Sequence, residues 1–149
     1  MIRAFYITKR RLLGTVTTLV LFLTSTLGTV AIAGMGDENF ALISSVSQKY
    51  VRAGGGEHSL MAAVSTDLGS WETFRRIPLG NMSFAMQSIQ SGKYVRAGVG
   101  QNAQLAASSD AIGAWETFEW IDLGNSQMAF RSSQNGRYVR AGVGDESFL

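Results

Sequence analysis

Cysteine is absent from the 149 residues, so no disulfide, thiolate metal site or cysteine nucleophile can be built. His58 is the single histidine, which leaves neither a His-based metal site nor a serine-type triad to assemble. Basic charge is scarcer than the formal net charge of +2 suggests. Arg3, Lys9, Arg10 and Arg11 precede the first apolar run, and from Gly34 onward nine basic residues face eleven acidic ones. No surplus remains to displace counterions from a phosphate backbone, so nucleic acid is not an expected partner. Proline occurs once against 17 glycines. Glycine supplies the positive φ of tight turns, and its scatter among short apolar runs points to closely spaced hairpins and an all-β class. The length suits one domain with one core.

Residues 1–11 form a basic head, residues 12–32 carry no charge and include the run Leu19, Val20, Leu21, Phe22 and Leu23, and Ala31-Ile32-Ala33 puts small residues at −3 and −1. That three-part layout predicts a signal peptide over residues 1–33, cut after Ala33, and a secreted domain over residues 34–149 without membrane contact. The alternative is an uncleaved signal anchor that tethers the domain to a membrane, since the uncharged stretch reaches Gly36 and could span a core of roughly 30 Å. Thr15, Thr17, Thr18, Thr24, Thr26 and Thr29 dilute the run below the hydropathy usual for anchors.

A repeat organises the rest of the chain. Tyr50-Val51-Arg52-Ala53-Gly54 returns 44 residues later as Tyr94-Val95-Arg96-Ala97-Gly98, and again as Tyr138-Val139-Arg140-Ala141-Gly142. The same offset links Trp71-Glu72-Thr73-Phe74 to Trp115-Glu116-Thr117-Phe118, and Leu79-Gly80-Asn81 to Leu123-Gly124-Asn125. Each unit reads as four short strands, in the second unit near residues 84–89, 93–97, 104–107 and 115–121. Alternation in the second strand sets Val95 and Ala97 on one face and Tyr94 and Arg96 on the other. Val and Ala are expected inside, because an unpaired buried Arg is costly.

Four strands per unit also describe a propeller blade, but a propeller needs at least about four blades, and the chain holds fewer than three units. A threefold β-trefoil is the better fit. Gly-Lys-Tyr-Val-x-Ala, then Ile-Gly-Ala-Trp-Glu-Thr-Phe and Ile-Asp-Leu-Gly, resembles the fascin-like β-trefoil domains, especially those of secreted bacterial proteins and those attached to carbohydrate-active enzymes. The resemblance covers essentially all of the chain after Ala33. It implies carbohydrate binding or, as in the actin-bundling members, a protein-interaction or filament-bundling role. The Gln-x-Trp signature of ricin-type trefoil lectins is missing, so their sugar contacts do not carry over.

The third unit stops at Leu149, the counterpart of Leu105, so counterparts of residues 115–121 are lacking. An open edge and core would follow. The expectation is a domain truncated at its C-terminal side, or one that completes itself by self-association with another copy.

The candidate ligand-binding residues are Tyr50, Arg52, Tyr94, Arg96, Tyr138 and Arg140, three equivalent outward pairs offering a stacking face and a donor fork. Trp120 joins them, because its counterpart is Arg76 and a threefold core should not tolerate that swap; a lid at the strand end is the alternative. Trp71 and Trp115 are expected in the core. His58 is expected on a solvated loop. Glu72, Glu116 and Asp122 sit in repeated scaffold motifs rather than one asymmetric site, so no catalytic residue is named, and no cofactor or metal is called for. A polysaccharide or other glycan is the expected partner.

Overall fold

The computed structural model describes residues 2–6, 38–54, 59–100, 102–124, 127–142 and 148–149, with residues 2–6 and 38 as backbone. The expected apolar export run, the Ala33 cleavage point and His58 lie outside the described residues. Among the described residues there are ten strands: β1 (Ile2–Tyr6), β2 (Glu38–Ser44), β3 (Tyr50–Arg52), β4 (Ala62–Ser65), β5 (Thr73–Gly80), β6 (Ser83–Ser88), β7 (Tyr94–Val99), β8 (Gln104–Ser109), β9 (Phe118–Gly124) and β10 (Gln127–Ser132).

Every pairing is antiparallel, and six strands close on themselves in the order β2, β5, β6, β9, β10, β1. Two hairpins, β3 with β4 and β7 with β8, cap this ring. A barrel of six strands capped by hairpins from repeated units is a β-trefoil. The third cap comes from Tyr138, which bridges Arg131, and from Phe148, which bridges Ala62. The three caps meet in a ring of backbone hydrogen bonds. Met61 N–H donates to Leu105 O (2.9 Å), Leu105 N–H to Leu149 O (2.8 Å) and Leu149 N–H to Met61 O (3.0 Å).

Period-two alternation builds the core. Phe40 and Leu42 of β2, Phe84 and Met86 of β6, and Met128 and Phe130 of β10 point inward at equivalent places, with Phe74 and Phe118 between them. Ser44, Ser88 and Ser132 end these three strands buried, and each hydroxyl oxygen accepts a backbone N–H of the following turn, from Ser47, Ser91 and Gln134. A small side chain that satisfies a turn donor fits where a larger apolar one would leave the donor unpaired.

Two expectations need correction. Residues 114–116 form a turn, and the strand expected from Trp115 begins only at Phe118. The Gly113 N–H donates to Glu116 Oε2 at 2.9 Å, the Thr117 hydroxyl donates to Gly113 O at 2.8 Å, and Gly69, Glu72 and Thr73 repeat the pattern in the first unit. The glutamates are thus buried turn staples. Secondly, Arg76 is buried, at 2 % exposure. Its guanidinium lies over the rings of Phe84 (5.6 Å) and Trp120 (5.3 Å), which recovers part of the desolvation cost. Its Nε and Nη1 have no hydrogen-bond partner among the described residues, and each such buried donor costs roughly 1–3 kcal/mol. Arg76→Met keeps the length and removes those donors, so it is expected to raise the unfolding free energy by about 1–2 kcal/mol in urea titrations.

Candidate functional site

The alternation in the second strand holds in the first two units: Val51, Ala53, Val95 and Ala97 are buried, while Tyr50, Arg52, Tyr94 and Arg96 take the other face, partly or fully exposed; in the third unit Val139 and Ala141 are only half-buried. In the first two units the Arg is held by a Trp. The Arg52 guanidinium carbon sits 5.2 Å from the centre of the Trp71 ring, and that of Arg96 sits 5.9 Å from Trp115. Glu116 Oε1 lies 3.9 Å from Arg96 Nη1. Each Trp is pressed in turn on the glycine two residues after the Arg. A Cβ built on Gly54 would stand 2.6 Å from Trp71 Cζ3, and one on Gly98 2.5 Å from Trp115 Cζ3.

Trp71 and Trp115 are therefore not core residues. Trp71 is exposed and Trp115 half-buried against the core's edge, because the tight Gly-x-Trp-Glu turn lifts the indole out of the barrel and onto the cap. Trp120 takes the lid position instead: it is half-buried, with its ring edge-on to Phe84 at 5.6 Å and 71°.

The third unit differs. Tyr138 is 62 % exposed, Arg140 is exposed, and a Cβ on Gly142 would meet nothing within 4 Å among the described residues. Here a cleft of about 160 Å³ opens between the second and third units. Tyr138, Arg137 and Arg140 line one side, Asn102 and Ala103 the other, with Asn135 and Ser132 at the turn. Sequence reasoning named Tyr138 and Arg140 but missed Asn102, Asn135 and Arg137. Arg137 was detectable, since a basic residue precedes the Tyr in every unit, as Lys49, Lys93 and Arg137. Asn102 was not, because it reaches the cleft only through packing of one unit on the next.

The seven candidates thus fall into separate places: Tyr50 with Arg52, Tyr94 with Arg96, Tyr138 with Arg140, and Trp120 over the barrel core. Lys93, beside Tyr94, pairs with Asp110. Arg131, bridged to Tyr138 through the backbone, donates to Glu119 Oε2 at 2.6 Å. That hydrogen bond and the carboxylate's charge raise the guanidinium's pKa above its ordinary value. The pair is exposed and adds little to stability. No group of His, Asp or Glu able to hold a metal ion occurs among the described residues. No helix among them is long and apolar enough to cross a membrane.

The chain is an all-β protein of the β-trefoil class. Among solved structures it is similar to the crystal structure of ThreeFoil, a designed 3-fold symmetric protein, with a TM-score of 0.65 at 16 % identity, covering 74 % of this chain and 85 % of that one. At such identity the likeness speaks for the fold alone. No protein-family model and no curated protein matches the sequence.

Proposed function

We propose that this trefoil is a secreted, non-catalytic carbohydrate-binding module of the fascin-like type, recognising polysaccharide through shallow surface sites, with its principal contact at the Tyr138 cleft. One observation carries the reading. An exposed tyrosine stands at a cleft edged by two amides and two guanidinium groups, the combination of a stacking face and fixed donors and acceptors that a pyranose ring with its hydroxyls requires. The stacked pairs Arg52 with Trp71 and Arg96 with Trp115 present flatter polar and aromatic surfaces nearby. Weak sites repeated around a pseudo-threefold axis gain by avidity on a polymer.

The test is retention on insoluble polysaccharides together with a glycan array. Tyr138→Ala and Arg140→Ala are each expected to weaken binding about tenfold, equivalent to about 1.4 kcal/mol, while Tyr50→Ala acts less. Unchanged retention in Tyr138→Ala, or no polysaccharide retained by the parent chain, would count against the proposal. Export is checked separately: mass spectrometry of material from the culture medium should find Gly34 as the first residue, a cleaved form without β1, which is present only in the chain that keeps its N-terminus.

A further inference from the structure

Two units place their fourth strand between two first strands. β5 lies between β2 and β6, and β9 between β6 and β10. The third such slot, between β10 and β2, holds β1, which comes from the opposite end of the chain. Its register is that of its counterparts. Phe74 pairs with Phe40 and Ser88, Phe118 with Phe84 and Ser132, and Ile2 with Met128 and Ser44. Going round the barrel, Met128 is the equivalent of Phe40 and Phe84, and Ser44 that of Ser88 and Ser132. Arg3, Ala4, Phe5 and Tyr6 then follow in step, opposite Ile43, Leu42, Ala41 and Phe40.

The three occupants also share a composition: Phe-Arg-Arg-Ile, Phe-Glu-Trp-Ile and Ile-Arg-Ala-Phe. Each has a large apolar residue first, a charge second, a variable third and Ile or Phe fourth. The first position is fully buried in both Phe74 and Phe118. A slot with this register and pattern recognises an extended strand through its backbone donors and acceptors, and selects it by alternate side chains.

The tether bears on how the slot is filled. Antiparallel neighbours can be joined by two residues, yet the 31 residues numbered 7–37 separate β1 from β2. Closing such a loop costs about 3 kcal/mol of chain entropy, and its contour, roughly 100 Å, exceeds what the pairing needs. The same pairing made between two chains loses no contact and avoids that closure.

We propose that, in the chain that keeps its N-terminus, the slot between β10 and β2 is a strand-acceptor site, and that Ile2–Tyr6 is its exchangeable occupant, donated in cis or by a second copy of the chain. Mutual exchange gives a dimer with twofold symmetry. A tether of this length sets an effective concentration of about 1 mM, so the exchanged form grows as the protein concentration approaches that value.

The full chain tests this without truncation. A donor fluorophore goes on the N-terminal amine and an acceptor on Ser47→Cys, the sole thiol in the chain, on an exposed turn just beyond Ser44. A doubly labelled chain, dilute, should show strong energy transfer, reporting the occupied slot. Singly labelled chains mixed and refolded together should show transfer between molecules that rises several-fold from about 10 μM to about 1 mM. An excess of synthetic peptide covering residues 1–8 should abolish it. Phe5→Pro puts a proline, with no backbone donor, into β1 opposite Ala41 of β2, and should lose transfer both within and between molecules. Transfer within the chain but none between chains at any concentration would overturn exchange. Absence of transfer in the doubly labelled chain would overturn the assignment of Ile2–Tyr6 to the slot. The peptide arm keeps both readings open to test if Phe5→Pro does not fold.

Discussion

Phe84→Ala is expected to lower the unfolding free energy by about 3–5 kcal/mol. Phe84 is wholly buried on β6 and sits at the centre of the aromatic cluster. Its ring centre lies 6.1 Å from that of Phe118, 6.1 Å from Phe130 and 5.6 Å from Trp120, the last two edge-on. The Arg76 guanidinium lies over it at 5.6 Å. Truncation would leave a void that three rings and a cation line, and the β6 backbone, paired on both sides with β5 and β9, cannot collapse into it. A domain of this size has about 5–15 kcal/mol in total, so the variant should populate the unfolded state measurably in mild urea. A loss below about 1 kcal/mol would mean that the rings do not share one interior.

The second large effect is expected at Gly98. Gly98→Ala combines two costs. At φ +78° an L-residue pays about 1–2 kcal/mol for the left-handed region. The new methyl would also stand 2.5 Å from Cζ3, 3.0 Å from Cε3 and 3.1 Å from Cη2 of Trp115. A rigid indole cannot yield at one atom, so the whole ring must leave the glycine, and Arg96 with it. Together the losses should reach about 2–4 kcal/mol. Gly92→Ala serves as the comparison, because φ is +69° there and no described residue lies within 4 Å of the added carbon; only the backbone cost of about 1–2 kcal/mol should appear. A double-mutant cycle with Trp115→Ala separates the terms. The coupling should be at least about 1 kcal/mol, and additive effects would show that the ring and the glycine do not meet.

Much of this architecture was legible in the residues themselves. Tyr-Val-Arg-Ala-Gly, three times at equal spacing, gave both the unit and its inside face, since Val and Ala alternate with Tyr and Arg and only one of those pairs can be buried cheaply. Side chains that override local pattern were less legible. Trp115-Glu116-Thr117 has the composition of a strand, yet the Glu116 carboxylate folds back on Gly113 and makes a turn. Arg76 looked like a surface residue by desolvation alone; two aromatic faces change that balance, and they converge only in three dimensions. Ile2–Tyr6 read naturally as part of a basic export head. Its likeness to Phe-Glu-Trp-Ile shows only once the register of β1 against β2 and β10 is known, and with it the expected gap in the barrel is filled. Of the candidate site, Tyr138 and Arg140 could be named from the repeat, whereas the cleft beside them arises where two units meet.

The circuit of Met61, Leu105 and Leu149 bears on how the caps open. In a closed loop of three links each residue is donor to one neighbour and acceptor for the other, so lifting any cap severs two bonds and strands a buried partner on either side. Opening is then a collective event. The amide protons of the three residues should trade with deuterium at one shared slow rate, Leu149 as reluctantly as Met61.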